Sequence, residues 1–146
     1  MNATATPAPP RNLWRSAGAI LAGMLTVIVL SLGTDEILHL THVFPPWDAK
    51  FDDPRLNALA LAYRCVYNVI GAIVTARLAP RNVPRHLWIF ALIGLALGTL
   101  GAVATTPMHL GPAWYPILLA ISSLPCAWIG ARIYRARFAL PDSAGR

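Results

Sequence analysis

Residues 86–131, "HLWIFALIGLALGTLGAVATTPMHLGPAWYPILLAISSLPCAWIGA", carry no formal charge between Arg85 and Arg132. A run of this length has room for two crossings of a hydrocarbon layer roughly 30 Å thick, each needing about 20 helical residues. Its middle, Thr106-Pro107-Met108-His109-Leu110-Gly111-Pro112, gathers the Pro and Gly of a tight reversal, so the run reads as a hairpin of two spans. The spans must be helical, because lipid offers no hydrogen-bond partner to an exposed amide. They lack the alternating pattern of a barrel strand and are about twice too long for one.

Working outward, two more apolar runs precede this hairpin. Leu13 to about Thr34 has no formal charge from Ser16 onward, and Leu56 to about Ala79 is interrupted in its interior by Arg64. Across the chain 56% of residues are hydrophobic and only 12% charged, against about 25% charged in soluble proteins, and the mean hydropathy is +0.54. One small core cannot hide that much apolar surface. The expected architecture is all-α: an integral membrane four-helix bundle over 13–137, with helices at about 13–42, 56–79, 87–106 and 113–135. Loops are short except for an outer one of about 20 residues between the first two spans, from near Thr34 to Leu56. Residues 1–12 read as a disordered cytoplasmic lead and 138–146 as a cytoplasmic tail. A cleavable signal peptide is a poorer account of the first helix, whose apolar run exceeds the usual roughly 7–15 residues.

Charge placement orients the bundle. Arg11 and Arg15 precede the first span, Arg77, Arg81 and Arg85 flank the second connection, and Arg132, Arg135, Arg137 and Arg146 follow or end the fourth. All three clusters fall on one side, while Lys50, Arg55 and five of the six acidic residues fall on the other. The positive-inside rule then puts both termini in the cytoplasm. Trp14 and Trp88 mark the inner headgroup level, and Trp47, Trp114 and Tyr115 the outer. The net charge of +6 is explained by topology and anionic lipid; no nucleic-acid-binding fold accompanies it. Cys65 and Cys126 lie inside spans with no C-x-x-C, so they read as small buried hydrophobes, and thiol–quinone exchange chemistry lacks its close pair.

Arg64 is the residue that most needs a partner, since a charge near the middle of a membrane helix costs roughly 2.5–3.5 kcal/mol. Arg64, Asn68, Gly71 and Thr75 recur at helical spacing, forming a stripe that should face the bundle. The expected counter-ion is Asp35 or Glu36, with Asn68, Tyr67 and Ser31 available to the remaining guanidinium donors. Small residues in the third helix (Ala91, Gly94, Gly98, Gly101, Ala102) and the fourth (Ala127, Gly130, Ala131) should let backbones approach closely. Pro125 should bend the fourth helix.

The stretch "GTDEILHLTHVFPPW", residues 33–47, raises a second possibility. If the first helix runs on until Pro45-Pro46 stops it, Ser31, Asp35, His39 and His42 share one face. An Asp and two His on one face suit zinc or a similar divalent ion, and His109 could add a ligand from the same outer side. The bland reading, a polar helix end that meets water and loop, is the commoner outcome.

The segments "GTDEILHLTHVFPPW", "ALAYRCVYNVIGAIVTARLAP" and "WYPILLAISSLPCAWIGARI" resemble those of small, uncharacterised bacterial membrane proteins with four predicted helices. That resemblance implies a bacterial inner-membrane home but carries no activity. Three function classes fit the residues. The first is a non-enzymatic structural or accessory membrane component, alone, as a homo-oligomer or beside another membrane protein. The second is a small oligomeric transporter or channel using Arg64 and Asp35; small multidrug exporters share its helix count but carry their acidic residue within the first span. The third is an outer-face metal-binding protein using Asp35, His39, His42 and His109. Enzymatic motifs such as G-x-S-x-G or H-E-x-x-H do not occur, so no catalytic residue is assigned.

Overall fold

The computed structural model describes residues 13–109 and 111–138. Among them are α1 (Leu13–Leu40), α2 (Pro54–Leu78), α3 (Val83–Thr105) and α4 (Trp114–Arg137), one 3-10 turn at Thr106–Met108, and no strand. The expected lead 1–12 and the tail beyond 138, with Arg11 and Arg146, lie outside the described residues. The shortest helix, α3, has 23 residues, about 35 Å at 1.5 Å per residue, so even it exceeds a hydrocarbon core of roughly 30 Å. All four helices are long and apolar enough to cross a membrane.

Local chemistry sets the boundaries. α2 starts at Pro54, two residues before the expected start, because Asp53 caps it by accepting from Arg55 N at 2.8 Å while Pro54 occupies the first turn. α3 starts at Val83 rather than near Leu87; Asn82 turns through the left-handed region (φ 51°) and Pro84 is tolerated in the first turn, whose amides have no helical partner. α4 keeps its helical course past Pro125 to Arg137.

α2 is the central helix, packed against α1 on one side and α4 on the other, with α3 lying mainly against α4. Glycine makes these approaches close. A Cβ at Gly71 would stand 2.8 Å from Gly23 O, and one at Gly23 would stand 2.6 Å from Gly71 O, so α1 and α2 touch backbone to backbone there. Phe90 of α3 closes this crossing and is buried. A Cβ at Gly130 would lie 2.6 Å from Ala72 Cβ, and one at Gly98 would lie 2.8 Å from Ala120 Cα, so the α2–α4 and α3–α4 seams are built the same way. The Ser123 hydroxyl donates to Ala91 O at 3.2 Å across the last seam. Gly101 departs from expectation: nothing lies within 4 Å of its Cβ position, so it belongs to no seam.

The core around these seams comprises Ala72, Ala76, Leu87, Phe90, Ala91 and Ala127. Cys126 is buried and Cys65 half-buried, both as free thiols. The outward faces are apolar, with Leu21, Leu25, Val29 and Leu32 of α1 all exposed, as a lipid-facing surface requires and a watery one does not tolerate. α1 and α2 run antiparallel, since Gly23 meets Gly71 while Asp35 meets Arg64. Arg77, in the last turn of α2, lies 4.0 Å over the Phe138 ring at the end of α4. Arg15, Arg77, Arg85, Arg132, Arg135 and Arg137 therefore gather at one end of the bundle, and Asp48, Asp52 and Asp53 stand at the other.

If the Gly23–Gly71 crossing holds α1 to α2, Gly71→Leu should lose about 3 kcal/mol or more through overpacking. Gly101→Leu should leave stability nearly unchanged. Thermal unfolding of the two variants in the same detergent measures the contrast.

Candidate functional site

The site is built where α1 leaves the apolar zone. Asp35, buried on the inner face of α1, receives a hydrogen bond on each carboxylate oxygen: Tyr63 O–H donates to Oδ1, and an Arg64 guanidinium N–H donates to Oδ2 at 2.5 Å. Tyr63 and Arg64 are consecutive on α2, so one short arc of that helix holds both ends of the carboxylate. The side chains are 7% exposed for Asp35 and 26% for Arg64, which makes this a largely desolvated ion pair and the only one among the described residues. Beside it, Thr34 and Tyr67 share a hydroxyl hydrogen bond of 2.7 Å, and the Tyr63 and Tyr67 rings lie 5.7 Å apart one helical turn from each other. α4 contributes Tyr115, whose ring centre is 5.9 Å from the guanidinium carbon. Arg64 Nε is buried without a hydrogen-bond partner.

The other expected members take different places. Glu36 is exposed, because consecutive helical residues point about 100° apart and Asp35 already faces α2. Asn68 donates to the backbone carbonyl of Arg64 at 3.0 Å, not to its surroundings across the helix pair. Tyr67 bonds Thr34 and leaves the guanidinium to Asp35. Ser31 is half-buried and stands outside these hydrogen bonds. Tyr63 is an addition to the expected set, although its place beside Arg64 and one turn from Tyr67 is a readable signal. Asn57 was also missed: it is buried, and its Nδ2 donates to Phe51 O at 2.7 Å and Asp53 O at 2.9 Å, fastening the connection to α2.

Beyond Asp35 the helix ends sooner than its Pro pair suggests. α1 stops at Leu40 and the chain turns left-handed at His42 (φ 58°). His42 N bonds His39 O at 3.1 Å and Val43 N bonds Leu38 O at 3.0 Å, the two reverse bonds of a Schellman ending. His42 consequently leaves the face that carries Asp35 and His39. Phe44, buried, then folds back over the helix end, with its ring 5.5 Å from His39 and 4.8 Å from Phe51. The Trp47 indole stacks on His39 with centroids 3.8 Å apart. His39 Nδ1 lies 2.7 Å from Asp35 O; a carbonyl only accepts, so Nδ1 is the donor and carries a proton. This corrects the expected shared face: His39 is tied to the helix end, His42 and His109 are exposed at left-handed positions, and the carboxylate of Asp35 is held by α2. Among the described residues no group of three His, Cys, Asp or Glu side chains is placed to hold a metal ion.

The arrangement is chemically a cross-link between helices: an acceptor-only carboxylate meeting a phenol and a guanidinium, with an aromatic cap sealing the helix that carries it. Nearby, a small pocket of about 190 Å³ lies among Phe51, Asn57, Thr106 and Tyr115. No family model matches the chain, and neither a curated protein nor a solved structure matches it.

The ending of α1 generates a test of the role of His42. A non-glycine residue in the left-handed region costs roughly 1–2 kcal/mol, partly returned by the lower unfolded-state entropy it brings. His42→Gly should therefore raise stability by up to about 1 kcal/mol, and His42→Val should lower it, by thermal unfolding. A loss on His42→Gly would mean that the imidazole itself makes an essential contact.

Proposed function

We propose that this chain is a multi-pass protein of a bacterial inner membrane, with both termini in the cytoplasm, acting as a non-enzymatic structural or accessory component. The arginine-only end supports that orientation, because short flanks rich in Lys and Arg stay on the cytoplasmic side. Its partners are the bilayer and either a second copy or another membrane protein reached through the apolar outer faces.

The observation that carries this reading is the double grip on Asp35. Tyr63 and Arg64 occupy its two oxygens, and the small pocket nearby is not lined by Asp35 or Arg64. A largely desolvated ion pair whose carboxylate is held at both oxygens acts as an interhelical staple that sets register. The unpartnered Nε of Arg64 is the observation that favours the second reading, a small oligomeric conduit in which a solute completes the guanidinium.

Arg64→Ala separates the two. On the staple reading it removes about 3–5 kcal/mol of stability by leaving a buried carboxylate uncompensated, and proteoliposomes of the unaltered protein carry no ion flux that Arg64 controls. A flux abolished by Arg64→Ala in protein that still melts cooperatively would replace the staple with the conduit.

A further inference from the structure

The α3–α4 pair is tight at one end and open at the other. Gly98 against Ala120 and Gly94 against Ser123 bring the backbones together. Toward the arginine-rich end the two helices leave a groove of about 740 Å³ between them. Leu87, Trp88, Leu124, Trp128 and Tyr134 line it, and Arg135 stands at its mouth. Trp88 and Trp128 are exposed, and Arg132 lies 4.8 Å over the Trp128 ring. His86 is turned inward, its Nδ1 3.2 Å from Asn82 O.

We infer that this groove binds one acyl chain of an anionic phospholipid, whose phosphate is held by Arg135. Three features select that occupant. On α3 the groove runs from Asn82 to Ala91, about 14 Å at 1.5 Å per residue, which is close to half of a hydrocarbon core of roughly 30 Å and so to one leaflet. Its walls are apolar within and aromatic near the mouth, the order in which a lipid presents chain, glycerol and headgroup. The mouth carries arginine, and this end of the bundle has no acidic side chain among the described residues, so a negative headgroup is complementary. The inference rests on the membrane reading and is independent of the Asp35–Arg64 pair.

Native mass spectrometry of the full chain, delipidated in detergent and titrated with phosphatidylglycerol or phosphatidylcholine of the same acyl composition, tests it. One phosphatidylglycerol should bind about fivefold more tightly than phosphatidylcholine, the factor expected of one arginine at the membrane surface. Arg135→Gln should erase the headgroup preference, and Ala131→Phe, which fills the groove, should weaken both lipids while thermal unfolding stays near that of the unaltered chain. Equal binding of the two lipids, or a preference that survives both substitutions in folded protein, overturns the proposal. A protein dimer that both substitutions dissociate would overturn it too, by making a second copy the occupant. Failure on any of these grounds leaves the staple, tested at Arg64, untouched.

Discussion

A guanidinium inside an apolar bundle must be answered by an anion, and the pairing of Arg64 with Asp35 is the constraint on which the rest of this structure depends. Hydrophobic burial alone discriminates poorly among helix registers in lipid, since the surroundings are as apolar as the interior. A charge pair discriminates strongly. With Asp35 set against Tyr63 and Arg64, the antiparallel course of α1 and α2 brings Gly23 to Gly71, about 18 Å farther along α1 at 1.5 Å per residue. Two fixed points on one helix pair define its register. α4 and α3 then close on small-residue seams that tolerate little sliding.

The spans and the need of Arg64 for a carboxylate were legible in the sequence because both rest on residue chemistry that no packing detail can reverse. Which of two adjacent carboxylates answers it was not legible, because the choice between Asp35 and Glu36 depends on helix rotation that only the partner helix determines. Tyr63 was overlooked since a tyrosine in a span is usually read as a belt or packing residue, and its role follows only once Asp35 is placed. The end of α1 shows a different limit. Pro45-Pro46 signals where a helix must have stopped, whereas the Schellman bonds around His42 stop it earlier through a histidine in a conformation more usual for glycine. Asp53-Pro54 is, by contrast, a readable start for α2 two residues ahead of its apolar run, since Asp caps and Pro tolerates the first turn.

The polar and basic ends of the bundle have separate duties. At the acidic end, the ion pair, the aromatic cap of His39, Phe44 and Trp47, and the grip of Asn57 on Phe51 turn a long connection into a packed lid over the helix ends. At the arginine end α3 and α4 leave a groove between them, while α2 stays packed on α4 through Ala72 and Gly130 and through Arg77 over Phe138. One end holds the chain to itself; the other carries the groove for which a lipid is proposed. On the proposed reading, a fixed register presents constant outer faces to whatever lies beside the protein in the bilayer.

The most direct test of the central claim is a double-mutant cycle on Asp35→Ala and Arg64→Ala, with unfolding free energies measured in one detergent. The account predicts that the double variant is less damaged than the sum of the singles, with a coupling of about 2 kcal/mol or more. Additive losses, with coupling near zero, would mean that the two side chains do not depend on each other and would contradict it.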